Sequence, residues 1–317
     1  MKRTIAAFLL ACLMAMPGAV PATAQGKDGK SFNVTLLGTG TPFPTIKRFG
    51  PAILIQAGGK NLLFDAGRGV TQRLFQIKMA FGKIDHLFLT HMHSDHVVGI
   101  PDLWLSGWLG APWARRRAGP FTITGPKGTA SMMAGLEKAY AWDIATRTKD
   151  QKLPGIGIAV KATDMTEGVV YDAGGIKVTA FKVNHGKLID PAYGYRIDYD
   201  GRSVILSGDT KYTENLVKNA KGADLIVHSV AGIAAKLLKK SKVMRSILAH
   251  HSEPEDTARV FNAVKPKLAV YSHIVVYGGL KPADLMRRVK AKYDGAVRMG
   301  KDLMVIDVGR DKVAVRK

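Results

Sequence analysis

Cysteine is almost missing from this chain: Cys12 is the only one in 317 residues. It lies in an apolar stretch, Thr4 to Val20, that follows the basic start Met1-Lys-Arg3. The stretch is short for a membrane span, polar residues follow at once, and Ala22-Thr-Ala24 fits a small-x-small cleavage site before Gln25. The expectation is a signal peptide over residues 1–24 and a mature chain over 25–317, periplasmic or secreted. Leu9-Leu-Ala-Cys12 has the form of a lipoprotein box, but the apolar run continues past it. Without Cys12 the mature chain has no thiol, so it neither needs nor risks disulfides in an oxidising compartment. No other segment is apolar and long enough to span a bilayer. Repeats and low-complexity linkers are absent too, so the 293 residues left (317 minus 24) suit one large domain with a substantial core.

Acidic residues are scarce as well. Asp plus Glu number 25 against 47 Lys plus Arg, a net charge of +22, or +20 without Lys2 and Arg3. The basic runs are Arg115-Arg-Arg117, Lys236 to Arg245, Arg287-Arg-Val-Lys290 and the tail Arg310–Lys317. A field of this sign gathers anions near the surface. Aromatics are only 8% and do not interleave with those runs, which argues against a base-stacking platform. Phosphate esters, sulfate esters, nucleic acid and anionic envelope surfaces would all feel that field; of these a small anionic ester is the expected partner, with nucleic acid ranked behind it.

Histidine is also infrequent, at nine residues, yet three fall in one stretch, Thr90-His-Met-His-Ser-Asp-His96. An apolar segment, Ile84 to Leu89, precedes it and reads as a buried strand. A loop leaving a strand end can turn neighbouring side chains toward one point. Imidazole nitrogen and carboxylate oxygen are the donors that zinc and similar ions prefer. Four donors on one loop cannot surround a metal alone. His185 follows Lys177–Val183, Asp209 follows Ser203-Val-Ile-Leu206 within Ser-Gly-Asp-Thr, and His273 follows Leu268-Ala-Val-Tyr-Ser272. Each repeats the same context of an apolar strand followed by a ligand. Together they supply seven donors: His91, His93 and His185 for one ion, Asp95, His96 and His273 for the other, and Asp209 between them.

His-x-His-x-Asp-His with a distant His, a Ser-Gly-Asp-Thr and a late His resembles the pattern of the metallo-β-lactamase fold. Leu37-Gly-Thr-Gly-Thr-Pro-Phe-Pro44, Phe64-Asp-Ala-Gly-Arg-Gly-Val-Thr-Gln-Arg-Leu74 and His96-Val-Val-Gly-Ile-Pro-Asp-Leu103 are similar to motifs of its tRNase Z and arylsulfatase-like branch. Gly125-Pro-Lys-Gly128, Tyr195-Arg196 and His251-Ser252 follow in the same order, so the resemblance covers roughly residues 33–308. The chain is also similar to exported metallohydrolases of the type found in guanitoxin biosynthesis. The resemblance implies an α/β fold, a single-domain four-layer αβ/βα sandwich. It also implies two divalent ions, zinc first with manganese or iron open, and a hydroxide held between them. Asp95 and His251 are the implied catalytic residues, His251 as donor of a proton to the leaving oxygen, and Asp65 orients a ligating histidine. A homodimer is an open expectation, since relatives are commonly dimeric.

Two departures narrow the activity. Where tRNase Z enzymes carry His-Glu, this chain has His228-Ser229, and residues 143–170 are the only space for an arm that grips tRNA. Antibiotic-hydrolysing relatives lack a bridging aspartate, which Asp209 supplies here. The leading expectation is an exported phosphodiesterase or arylsulfatase-like hydrolase of small anionic esters. The alternatives are a lactonase, β-lactamase or tRNase Z-like nuclease on the same metals, or a non-catalytic metal- or anion-binding protein. Strands are expected at Asn33–Leu37, Ala52–Gln56, Asn61–Phe64, Phe121–Thr124, Ile176–Val183, Gly194–Tyr199 and Arg202–Leu206. Helices are expected at Val70–Lys78, Val97–Leu109, Gly128–Tyr140, Ile233–Lys240, Pro254–Val264 and Pro282–Lys292. Residues 143–175, polar and glycine-bearing, read as an insertion or mobile cover, and Trp104, Trp108 and Trp113 read as core.

Overall fold

The structure, a computed structural model, describes residues 30–316. The expected signal peptide and Cys12 lie outside the described residues. In chain order the strands are β1 (Phe32–Gly38), β2 (Ala52–Ala57), β3 (Lys60–Phe64), β4 (His86–Phe88), β5 (Phe121–Gly125), β6 (Val160–Asp164), β7 (Gly168–Ala173), β8 (Ile176–Val183), β9 (Ala192–Tyr199), β10 (Arg202–Leu206), β11 (Leu225–Ile233), β12 (Leu268–Tyr277), β13 (Val297–Met299), β14 (Met304–Val308) and β15 (Val313–Val315). The helices are α1 (Val70–Gln76), α2 (Ser94–Val97), α3 (Ile100–Ser106), α4 (Thr129–Ala139), α5 (Ala141–Asp150), α6 (Glu214–Ala220), α7 (Ala235–Lys240), α8 (Lys242–Leu248), α9 (Pro254–Val264) and α10 (Pro282–Lys290). No helix among the described residues is long and apolar enough to cross a membrane.

Alternation along the strands explains the layering. In β3, Leu62 and Phe64 point one way and Leu63 the other; β4 does the same with Phe88 against Leu87. In β10 and β11, Val204, Leu206, Leu225 and Val227 share a face while Ile205 and Ile226 turn away. Strands apolar on both faces must be covered on both faces. The result is two sheets packed on each other, with α1, α3 and α4 outside one and α6, α9 and α10 outside the other. The first sheet runs β15-β14-β1-β2-β3-β4-β5-β6 and the second β13-β12-β11-β10-β9-β8-β7. This is the expected four-layer α/β sandwich.

Helix ends follow their sequence signals. Pro254 and Pro282 each stand in a first turn, where the missing N–H costs nothing, and Asp256 and Asp284 accept from the backbone N–H of Glu253 and Lys281 at 3.4 and 2.8 Å. Trp104 and Trp108 are core residues, each donating its ring N–H to a carbonyl, of Ile158 and Pro154. Trp113, 42% exposed, is not. Residues 143–175 form neither an insertion nor a cover: they build α5, the edge strand β6 of one sheet and the edge strand β7 of the other.

One packed histidine makes stability depend on pH. His86 stacks on Phe88, centroids 4.2 Å apart, and its Nε2 meets Thr124 Oγ1 at 2.8 Å. Burial, with Lys161 nearby, pushes the ring down to about 4, from an ordinary 6.5. The unfolded chain therefore takes up this proton first as pH falls, so the stabilisation is whole above pH 6.5 and declines toward pH 4. The limit is roughly 3 kcal/mol for a shift of this size. Urea midpoints compared at about pH 7 and about pH 4.5 should fall less in His86→Phe than in the wild type. Equal falls would show that His86 does not carry the effect.

Candidate metal centre

Both sheets hold the candidate metal-binding loop. Thr90 follows β4, and the amide of Tyr193 donates to its carbonyl at 2.9 Å. The Tyr195 hydroxyl donates to Leu89 O at 2.5 Å, so β9 of the second sheet clamps a loop of the first. This gives Tyr195 a positioning role. Arg196 instead binds Asp198, Ser203 and the carbonyls of Asn219 and Lys221, which ties β9 to the end of α6. Short α2 then carries Asp95 and His96. His185 leaves the end of β8 and Asp209 the end of β10. Gly208, at φ 59°, makes the turn to Asp209, and a Cβ there would stand 2.5 Å from Tyr193 O.

His273 arrives differently. The sequence places it at a strand end, but β12 runs on through it to Tyr277. In the parallel pairing of β11 with β12, Ser229 faces Ser272 and Val230 faces Ile274, leaving His273 as the extra residue of a bulge. Its φ of 43° is left-handed, rare for a non-glycine residue. A bulge re-aims one side chain without ending the strand. Here it turns an imidazole into the site.

All seven expected ligands converge. His91 Nε2 and His185 Nε2 lie 3.0 and 3.3 Å from His93 Nδ1. His273 Nε2 lies 3.3 Å from Asp95 Oδ2, and His96 Nε2 lies 3.6 Å from the same oxygen. Asp209 Oδ2 stands between the groups, 3.1 Å from His273 Nε2, 3.5 Å from His96 Nε2 and 3.9 Å from His185 Nε2. Except for His93, every member is buried.

Proton accounting shows that these residues fit divalent ions. The single Thr90 hydroxyl proton goes to Asp65 Oδ2 at 2.9 Å, so Thr90 Oγ1 accepts from His91 Nδ1 at 3.0 Å and His91 Nε2 is a bare lone pair. His185 Nδ1 donates to the His250 carbonyl at 2.9 Å, which leaves its Nε2 bare too. His96 Nδ1 meets Asp65 Oδ2 at 2.7 Å, while its buried Nε2 has no hydrogen-bond partner among the described residues. Lone pairs gathered around one space are the donors that a shared cation takes. Burial pushes His91 far below its ordinary range, with His96 adding to it. Burial alone would raise the Asp209 carboxyl, but His273 and His96 outweigh it and hold Asp209 well below the usual carboxylate range. Burial alone would lower His96, but Asp65 and Asp209 outweigh it and raise it well above its ordinary range, so an ion binding there would displace its proton. With that proton displaced, the imidazoles and ionised carboxylates make the donor set of a two-metal site.

Three further residues complete the centre. Asp65 behaves as expected, gripping His96 Nδ1, Thr90 N and the Thr90 hydroxyl. Asp65→Asn should weaken zinc affinity about 10–100-fold in a chelator competition, because the ring orientation of His96 is released; unchanged affinity would remove that role. His250 acts through its carbonyl, a contribution invisible to residue type. His251 sits deeper in the cluster than its expected role suggests: its Nδ1 is 4.0 Å from Asp209 Oδ2 and has no hydrogen-bond partner among the described residues. With His185 and Asp209 it forms another group spaced to hold an ion. Arg68, weighed as an anion contact, is exposed at the surface with one long contact to Pro42 O. Ser229, where a glutamate would stand in tRNase Z, leaves its Oγ without a partner among the described residues, beside a cavity of about 40 Å³ below the centre.

Comparison with known proteins agrees with this geometry. The curated Ribonuclease Z of Mycolicibacterium gilvum (strain PYR-GCK) is 33% identical over 280 residues, 87% of this chain and 96% of that protein. The metallo-beta-lactamase fold protein YhfI from Bacillus subtilis superposes with TM-score 0.68 at 20% identity, over 88% of this chain and 99% of that one. Human tRNase Z, short form, gives 0.63 at 22% identity over 87% and 99%. Likenesses to solved structures at this identity speak for the fold alone. The name Ribonuclease Z on a relative so similar gives no support to the expectation that set nucleic acid aside. The description "Beta-lactamase superfamily domain" matches residues 60–274, which hold every expected ligand, and the chain belongs to that superfamily of metal-dependent hydrolases with the metallo-β-lactamase fold.

Proposed function

We propose that this chain hydrolyses phosphodiesters, and that its substrates include the backbone of nucleic acid. The observation that carries the reading is the double cluster joined by Asp209, whose one oxygen lies within 3.9 Å of His185, His96 and His273. Two divalent ions held there, zinc first, would supply Lewis acidity toward phosphoryl oxygens and lower the pKa of a water. The residues do the rest. His91 and His185 present bare nitrogens on one side, with His93 Nδ1 3.0 and 3.3 Å from them, and Asp95, His96 and His273 form the other. Asp95 Oδ2, facing His273 Nε2 at 3.3 Å, is placed to accept a proton from the attacking water. His251, its ring stacked 5.3 Å from that of His273, is placed to serve the leaving oxygen. Burial first pushes His251 down to about 3, so the free protein keeps it neutral. A substrate anion beside it raises its proton affinity, the condition for donation.

A phosphodiester suits the excess of basic residues better than a neutral lactone or lactam does, and it matches the name of the similar curated relative. Export through residues 1–24 remains part of the proposal. One observation favours a second reading, a small phosphodiester: residues 143–170, the only space the sequence offers for an arm of the tRNA-gripping kind, lie in a stretch that is built into both sheets. Assays should compare bis(p-nitrophenyl) phosphate, an RNA oligonucleotide, p-nitrophenyl sulfate, a lactone and nitrocefin, with and without chelator. Chelator-sensitive turnover of the two phosphodiesters is expected. Preference for nitrocefin or sulfate, or activity that survives chelation, would overturn the reading. Full metal occupancy with no turnover of any ester would restore the binding-protein alternative.

A further inference from the structure

Between β11 and the His250–His251 pair the chain makes an excursion that the core does not need. Neither α7 nor α8 has a buried residue. Its ends are tied to the centre: Ala231 N donates to Ser252 O at 2.9 Å, Ala234 N to Tyr277 O at 3.2 Å, and His250 O holds the ligand His185. The two helices therefore stand on the rim of the metal site. No carboxylate occurs between Asp224 and Glu253, while Lys236, Lys239, Lys240, Lys242 and Arg245 are all exposed. None of these cations forms an ion pair with a described residue, although other surface arginines and lysines do. Exposed Lys187 and Lys211 flank His185 on the adjoining rim, also without ion pairs. A segment with no fully buried side chain, cations outside any ion pair and a direct lead into the centre is suited to an extended polyanion.

We propose that α7 and α8 form a docking surface for the phosphate backbone of a polynucleotide, feeding it toward the metal centre. The inference rests on the phosphodiester reading and deepens it, by making the substrate a chain and not a single ester. Aromatic side chains are missing from the segment, so contact is with phosphates, independent of base sequence. An anionic lipid surface offers similar charge, but it would not need the lysines to lead into a catalytic centre.

The test is fluorescence anisotropy on the as-purified protein, with a labelled phosphorothioate oligonucleotide that resists cleavage. The triple variant Lys239→Glu, Lys240→Glu, Lys242→Glu should bind at least about tenfold more weakly, with the slope of log affinity on log salt reduced by about 2 for three lost contacts. The control Lys138→Glu, Lys149→Glu, Lys152→Glu makes the same charge change on and beside the helices outside the other sheet, and should bind as the wild type does. Equal loss in both variants would reduce the effect to net charge and overturn the proposal. So would wild-type binding to phosphatidylglycerol vesicles without binding to the oligonucleotide, or no binding to either. Because binding is read without turnover, failure of the hydrolase reading in the ester assays stays distinct from failure here.

Discussion

Asp209→Ala should lower phosphodiester turnover by about 10³-fold or more and reduce the metal bound per chain. Loss of a single preorganised transition-state contact typically costs about 10²–10³. Asp209 sits between two ligand groups, so its loss would disturb both ions of the proposed pair and would leave Asp95 as the only carboxylate beside both His96 Nε2 and His273 Nε2. The Asp209 carboxylate is 3% exposed and ionised, held there by the imidazoles around it. Asp209→Asn keeps the shape and removes the charge, and it should fall nearly as far. Steady-state rates paired with metal analysis of the same samples read this out. A variant that keeps both metals and most of its rate would show that Asp209 joins nothing.

His251→Ala is expected to cost about 10²–10⁴ in rate when the leaving group is an alkoxide, the range of a positioned acid. A p-nitrophenolate leaves without help, so the same variant should lose far less on bis(p-nitrophenyl) phosphate. Metal content should stay at the wild-type level. Position allows the opposite outcome, because His251 Nδ1 lies 4.0 Å from Asp209 and shares a group with His185. Equal losses on both substrates together with lost metal would make His251 a ligand and deprive it of the acid role.

The candidate ligands were legible in the sequence because most obey one rule: an apolar strand, then a donor in the loop that leaves it. His91, His185 and Asp209 meet that rule in the structure. His273 was found for the right residue type and the wrong reason. A bulge with a left-handed histidine leaves no mark in residue pattern, since β12 stays apolar on both sides of it. The His250 carbonyl was illegible for a related reason, because any residue could supply it. The central strands stood out as apolar runs, being covered on both faces. Edge strands β6 and β7 did not, since one side of each meets solvent and most of their residues are exposed or half-buried. α5 has no buried residue and hence no apolar stripe to read. These omissions made residues 143–175 look like an insertion when they finish both sheets.

The central claim is that seven side chains hold two ions. Anomalous scattering from crystals of the as-purified protein, collected on both sides of the zinc edge, addresses it directly. Two peaks are predicted, one among His91, His93 and His185, the other among Asp95, His96 and His273, with Asp209 touching both. Density for a single ion with Asp209 turned away, or no bound metal in active protein, would contradict it.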